Sequence, residues 1–156
     1  MAAEIFVDTS AWYPIAVASH PDHKWLADAL TAAIRGGRRV VTTNLIVAET
    51  YTLLVSRAGQ PAALGFFRAV KKSPNEVVSS TPELEDRAIT RMLEVRAASQ
   101  KFMGRENQDH PHWDRLEGYQ VCSFTDAVSR EVMAERGIHE ELTLTPEWSF
   151  EGVQAR

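Results

Sequence analysis

The feature that most constrains this chain is the alternation of short β-branched runs with stretches of helical periodicity. Ile5-Phe6-Val7, Val40-Val41-Thr42, Val77-Val78 and Val121-Cys122 each precede a segment whose apolar residues recur every three or four positions. Strands separated by helices cannot pair through tight hairpins, so they run parallel with helices covering the sheet. The expectation is an α/β fold: a three-layer α/β/α domain around a short parallel sheet of four to five strands.

The punctuation supports this division. Residues 4–7 predict a first strand ending at Asp8, with Thr9 and Ser10 as caps for a helix through Ala11 to Val17. His20-Pro21 interrupts the pattern, and Pro21-Asp22 opens a second helix striped by Trp25, Leu26, Ala29, Leu30 and Ala33 and stopped by Gly36-Gly37. Asn44 starts a long helix marked by Val47, Tyr51, Leu54, Val55 and Ala58, which Gly59 ends, with Pro61 just beyond. Further helices are expected at 62–72 and from Pro82. Residues 100–119 are polar and aperiodic and read as a loop insertion. A strand at Val121-Cys122 then leads into a helix from Asp126 to Arg136, stopped by Gly137, and Leu142-Thr143-Leu144 is a last short strand. No repeat or linker divides the chain, so residues 1–156 are expected to form one domain.

Composition narrows the function classes. Apolar residues are 44% and charged residues 24%, an ordinary globular balance that excludes a disordered chain. No run approaches the roughly 18 apolar residues of a membrane span, and the N-terminus lacks a signal peptide's basic and apolar regions. A cytoplasmic location is therefore expected. Cys122 is the sole cysteine, which rules out an internal disulfide and a Cys-based zinc site and suits a packing role. Lys and Arg total 17 against 21 acids, a formal charge of −4, so no basic coat for nonspecific nucleic-acid binding exists. Phosphate contacts would come from local clusters, Arg35-Gly36-Gly37-Arg38-Arg39 or Arg68 with Lys71-Lys72, each of which also reads as a solvated helix end.

Three acids carry the chemical signal. Asp8 ends a hydrophobic strand at the edge where open parallel sheets bind ligands, although for this residue taken alone a helix cap is the better explanation. Glu49 sits among Leu45, Val47, Tyr51, Leu53 and Leu54, in a helix that looks apolar nearly all round. A carboxylate there calls for a cation, either a metal or the arginine of a buried ion pair. Asp126 opens a helix after Thr125, where an acid also favours the helix dipole. Three carboxylates converging on one edge would repel unless neutralised, and hard oxygen donors without His or Cys point to Mg²⁺ or Mn²⁺. Such an ion activates water and clamps a phosphodiester.

These residues resemble a known family. Phe6-Val7-Asp8-Thr9-Ser10-Ala11-Trp12, Thr43 through Glu49-Thr50, and Ser123-Phe124-Thr125-Asp126-Ala127-Val128-Ser129 are similar to the motifs of PIN-domain nucleases, and most similar to VapC-type toxins of toxin–antitoxin systems. The resemblance spans most of the chain and implies a PIN-like fold and an Mg²⁺- or Mn²⁺-dependent endoribonuclease. Its substrate would be RNA such as tRNA or another structured RNA, and it would pair with a cognate antitoxin and form a homodimer. The family's three acids fall on Asp8, Glu49 and Asp126, with Thr9 and Thr125 expected to position a metal water or a phosphate. The usual fourth aspartate aligns with Thr145, and Glu147 either supplies the missing charge or belongs to an exposed tail.

That departure keeps a second reading open, a catalytically degenerate PIN-like module that binds RNA or protein. A phosphotransfer domain using Asp8 as nucleophile would carry an aspartate two residues later, where this chain has Ser10. In the 100–119 insertion, His110 and His112, with Asp109 and Asp114 near, suggest a metal site but fit a solvated loop better. Lys101, Arg105 and Trp113 are candidates for phosphate and base contacts there.

Overall fold

The computed structural model describes residues 2–72, 74–102 and 123–144. In chain order the elements are β1 (Glu4–Val7), α1 (Thr9–Ala16), α2 (His23–Arg35), β2 (Arg39–Thr43), α3 (Asn44–Ala58), α4 (Gln60–Val70), β3 (Asn75–Val78), α5 (Pro82–Phe102), α6 (Phe124–Arg136) and β4 (Glu141–Leu142). The chain divides into two units, residues 1–80 with 133–156, and residues 81–132. The α/β expectation holds: the first unit contains a four-stranded parallel sheet in the order β3-β2-β1-β4.

The strand sequences explain that order. Ile5, Phe6 and Val7 of β1 and Val40 to Thr43 of β2 are buried without alternation, as interior strands covered on both faces require. β3 is half-buried along its length and β4 is only two residues long, both properties of edges. Register runs Ile5↔Val40 and Phe6↔Val41 on one side of β1, and Phe6↔Glu141 and Val7↔Leu142 on the other. The last strand thus lies one residue earlier than the apolar run Leu142-Thr143-Leu144 suggests.

Around the sheet, α1 packs on α2 and α3, and α3 packs on α4, β2 and β3. Buried Thr42 locks this layer to the strands. Its hydroxyl donates to the Val7 carbonyl at 3.0 Å and accepts from Trp12 Nε1 at 3.3 Å, while the Trp12 ring meets Phe66 edge-on. Gly59, at φ +87°, makes the break between α3 and α4 unaided. Pro61 therefore does not end α3 but sits in the first turn of α4, where its missing N–H costs nothing.

At the amino-terminal edge of the sheet a single guanidinium ties three elements together. Arg136, in the last turn of α6, donates to both oxygens of Glu4 at 2.9 and 2.6 Å and to both oxygens of Glu76 at 2.8 and 2.9 Å. Those hydrogen bonds hold both glutamates below the ordinary carboxylate range and push the arginine further up. Arg39 adds a longer contact to Glu76 at 3.2 Å, and Arg38 pairs with Glu140.

In the second unit, Thr81 caps α5 by accepting from the Leu84 amide at 3.3 Å. Leu84 and Ala88 on α5 and Ala127, Val128 and Val132 on α6 are buried. Glu131 of α6 is clasped by Arg91 and, at 3.4 Å, by Arg87. α5 continues to Phe102, so the first residues expected in the loop are helical, because the helical register set by Leu84 and Ala88 carries through them. The expected loop from residue 103 onward and the expected strand at Val121-Cys122 lie outside the described residues. No helix among the described residues is long and apolar enough to cross a membrane.

Candidate active site

β1 delivers Asp8 to the carboxyl edge of the sheet, beside the end of β4. The strand order reverses here, since β2 and β3 lie on one side of β1 and β4 on the other. That is where open parallel sheets leave a crevice for ligands. The backbone is fixed on both sides: the Asp8 amide donates to the Leu142 carbonyl at 3.2 Å, and Val7 is held through Thr42.

Asp8 itself, not Thr9 or Ser10, caps α1. Its extended backbone (φ −88°, ψ 165°) is the cap geometry, and its Oδ2 accepts the Ser10 amide at 3.1 Å and the Ser10 hydroxyl at 2.9 Å. The two sequence readings of Asp8 are therefore compatible. Oδ2 caps the helix, while Oδ1 takes no hydrogen bond from the described residues.

Glu49 reaches the same edge from α3. Contrary to the expectation of a buried helix, it is exposed. The buried stripe of α3 is Ile46, Val47, Thr50 and Leu54, and Glu49 falls one position off it. Leu45 and Leu53, which share its row at i−4 and i+4, are only half-buried, so apolar neighbours did not mean enclosure. Thr9 donates its hydroxyl to Glu49 Oε2 at 2.6 Å. One hydrogen bond and one peptide unit thus separate the first two acids. Neither has an arginine or lysine partner among the described residues, which removes the buried ion pair as an explanation of Glu49.

Asp126 lies in the second unit. It forms a reciprocal capping box with Ser123: the Asp126 amide donates to Ser123 Oγ and the Ser123 amide to Asp126 Oδ2, each at 3.1 Å. This is the helix-start role its position allowed, and it engages one carboxylate oxygen. Thr125 is half-buried, and its carbonyl accepts the hydroxyl of buried Ser129 at 2.8 Å. Thr145, Glu147, His110, His112, Arg105, Trp113 and Cys122 lie outside the described residues.

A divalent ion suits this donor set. Among the described residues no three His, Cys, Asp or Glu side chains gather into a ready-made cage. Mg²⁺ does not need one, since it commonly keeps several waters and binds through one or two carboxylates plus substrate phosphate. Asp8 and Glu49 provide two hard oxygen donors, each with one oxygen not engaged by the described residues and with no Lys or Arg paired to it among them.

A family profile described as the PIN domain matches residues 5–139. The chain belongs to the PIN-domain family. Among solved structures it is similar to VapC20 of Mycobacterium tuberculosis, a sarcin–ricin loop cleaving toxin, with a TM-score of 0.70, 24% identity and 96% of each chain covered. At that identity the likeness shows a shared fold. Proteins with curated descriptions include no significant match. Membership places the chain in a nuclease family, in line with the resemblance of its acidic motifs.

Two features of this PIN domain were not apparent in the sequence. Ser10 binds Asp8, Thr143 and Leu144 together, and the partners 133 and 134 positions away leave no local signal. In the Arg38-Arg39 cluster, Arg38 pairs with Glu140 and Arg39 with Glu76 and, at 3.9 Å, with Glu4. An open pocket of about 450 Å³ lined by Gly37, Arg38, Arg39, Asn75 and Glu76 lies at that opposite, amino-terminal edge, away from Asp8.

Proposed function

We propose that this PIN-domain chain is a Mg²⁺- or Mn²⁺-dependent endoribonuclease that hydrolyses RNA phosphodiester bonds as the toxin of a toxin–antitoxin pair. The observation that carries the reading is the pair Asp8 and Glu49 at the carboxyl edge of the sheet, tied by Thr9 and without a Lys or Arg partner among the described residues. In this reading Asp8, Glu49 and Asp126 are the metal-binding and catalytic acids, Glu147 is a further donor, and Thr9, Thr125 and Thr145 position water or phosphate.

A bound divalent ion supplies the Lewis acid and lowers the pKa of its water. The chain's own residues do the positioning. Asp8 offers Oδ1 because Ser10 occupies Oδ2, and Thr9 holds Glu49 through one oxygen so that the other serves the edge. Both acids sit on elements anchored by the buried β1–β2 pair, which keeps donor positions fixed as substrate arrives.

Structured RNA, tRNA included, is the substrate class, a choice supported by a toxin of the same fold that cleaves the sarcin–ricin loop. A cognate antitoxin as partner, a homodimer as assembly and the cytoplasm as location complete the proposal. The test is incubation of the full chain with tRNA and ribosomal RNA in Mn²⁺ or Mg²⁺. Discrete fragments are expected, absent with chelator and absent in Asp8→Asn, Glu49→Gln and Asp126→Asn variants that keep the parent's circular dichroism. RNA binding without cleavage at any divalent concentration makes the chain a binding module and refutes the nuclease. Variants that cut like the parent refute the residue assignment.

A further inference from the structure

Ser10 lies two residues beyond Asp8, and its hydroxyl meets three partners: Asp8 Oδ2, Thr143 Oγ1 and the Leu144 amide nitrogen, each at 2.9 Å. Its own amide adds a bond to the same Asp8 oxygen at 3.1 Å. Valence fixes where the protons go. A backbone amide only donates and a carboxylate only accepts, whereas a serine hydroxyl has one proton and two lone pairs. The Ser10 proton therefore goes to Asp8, and Thr143 donates its proton to Ser10. Leu144 fills the second lone pair, so the hydroxyl is saturated and admits one arrangement.

This places a single oxygen between the first acid and the chain leaving β4. β4 offers only two residues of pairing to hold that segment, Glu141 and Leu142. The Leu144 amide, beyond the strand, depends on Ser10 for the hydrogen bond it makes. Asp8 in turn depends on Ser10 for both contacts that orient Oδ2.

We propose that Ser10 is a positioning residue that couples the orientation of the Asp8 carboxylate to the order of Thr143 and Leu144, the two residues that follow β4. A divalent cation at Asp8 and a docked Leu144 then stabilise each other. The second half of this statement rests on the metal reading above; the first half does not. Coupling of this kind is reciprocal, because an ion that favours the docked state is favoured by it to the same degree. The physical link is geometric: the Ser10 oxygen that receives Thr143 and Leu144 is held by Asp8 Oδ2, so an ion that fixes the Asp8 carboxylate also fixes the point on which Leu144 docks.

The test is amide hydrogen exchange followed by NMR on the full chain, for the parent, Ser10→Ala, Ser10→Thr and Thr143→Val, with and without Mg²⁺. Without metal, Leu144 should exchange about tenfold faster in Ser10→Ala, less so in Thr143→Val, and near the parental rate in Ser10→Thr. The Phe6 amide, which donates to the Glu140 carbonyl, reports general stability and should be unchanged. Mg²⁺ should slow Leu144 in the parent and in Ser10→Thr, and not in Ser10→Ala.

Equal Leu144 rates in the parent, Ser10→Ala and Thr143→Val overturn the proposal. So does a uniform acceleration that includes Phe6, which would make Ser10 a general stabiliser. If Ser10→Ala fails to fold, Thr143→Val decides the matter by the same comparison. A Leu144 rate that ignores Mg²⁺ while the Asp8 and Glu49 amide resonances shift on adding it overturns the coupling; the same rate with those resonances unmoved overturns the metal reading and leaves the dependence on Ser10 standing.

Discussion

Replacing Arg136 with methionine keeps most of the side chain's volume and deletes the charge that joins β1, β3 and α6. The guanidinium makes four charge-assisted hydrogen bonds of 2.6–2.9 Å to Glu4 and Glu76. The side chains are partly shielded, at 26% exposure for Arg136, 17% for Glu4 and 38% for Glu76. Breaking a fully buried pair costs about 3–5 kcal/mol, whereas an exposed pair contributes about 0–1. Intermediate burial and two stranded carboxylates place Arg136→Met at about 2–3 kcal/mol. At about 2–4 °C per kcal/mol for a chain of this size, the melting temperature should fall by about 4–12 °C at pH 7.

The pH dependence has a definite sign. Glu4 and Glu76 titrate lower in the folded state than in the unfolded chain, mainly because Arg136 donates to them. Their contribution is complete above the ordinary value of 4.5 and is lost as pH falls through the lowered folded values. The gap between parent and variant should therefore close below that value. Thermal and urea melts followed by circular dichroism at pH 7, 5 and 3.5 measure it. A variant within about 1 °C of the parent at pH 7, or a gap unchanged at pH 3.5, refutes the reasoning. The triple variant Glu4→Gln, Glu76→Gln, Arg136→Met should recover part of the loss, because no unpaired charge remains.

Three further outcomes are expected. Thr50 is fully buried and its hydroxyl has no hydrogen-bond partner among the described residues, so Thr50→Val should stabilise the fold by up to about 1 kcal/mol; a melting temperature lowered by several degrees would show a partner exists. Thr42→Val removes both the Val7 and Trp12 contacts and should cost about 1–2 kcal/mol in urea denaturation; an unchanged midpoint counts against the bridge. Ser123→Ala deletes the cap of α6 and should cost about 1 kcal/mol, with loss of protection confined to the first turn of that helix; intact protection there contradicts the capping box.

The central strands were legible because Ile5-Phe6-Val7 and Val40-Val41-Thr42-Thr43 are unbroken apolar or β-branched runs, and interior parallel strands leave that trace. β4 was misplaced by one residue because a two-residue edge strand has no periodicity of its own; its register comes from pairing with Phe6 and Val7. The break at Gly59 was readable because glycine is the usual helix terminator, and its φ of +87° bears this out; α4 begins two residues earlier than expected because Pro61 fits its first turn.

In the site, Asp8 was readable from its place at a strand end. Glu49 was found for a partly mistaken reason, since composition reports what surrounds a helix position but not whether anything covers it. The Ser10 and Arg136 clusters were invisible, because their partners come from residues 60 to 134 positions apart that only the folded sheet brings together.

The most direct measurement of the central claim is calorimetric titration of Mn²⁺ into the parent, Asp8→Asn, Glu49→Gln and the double variant, each checked for folding. If the two carboxylates hold one ion, the parent should bind, each single variant should lose at least about tenfold in affinity, and the double variant should lose more than either single but less than the product of the two single losses. Parental affinity retained in both single variants would contradict a shared ion at the Asp8–Glu49 edge.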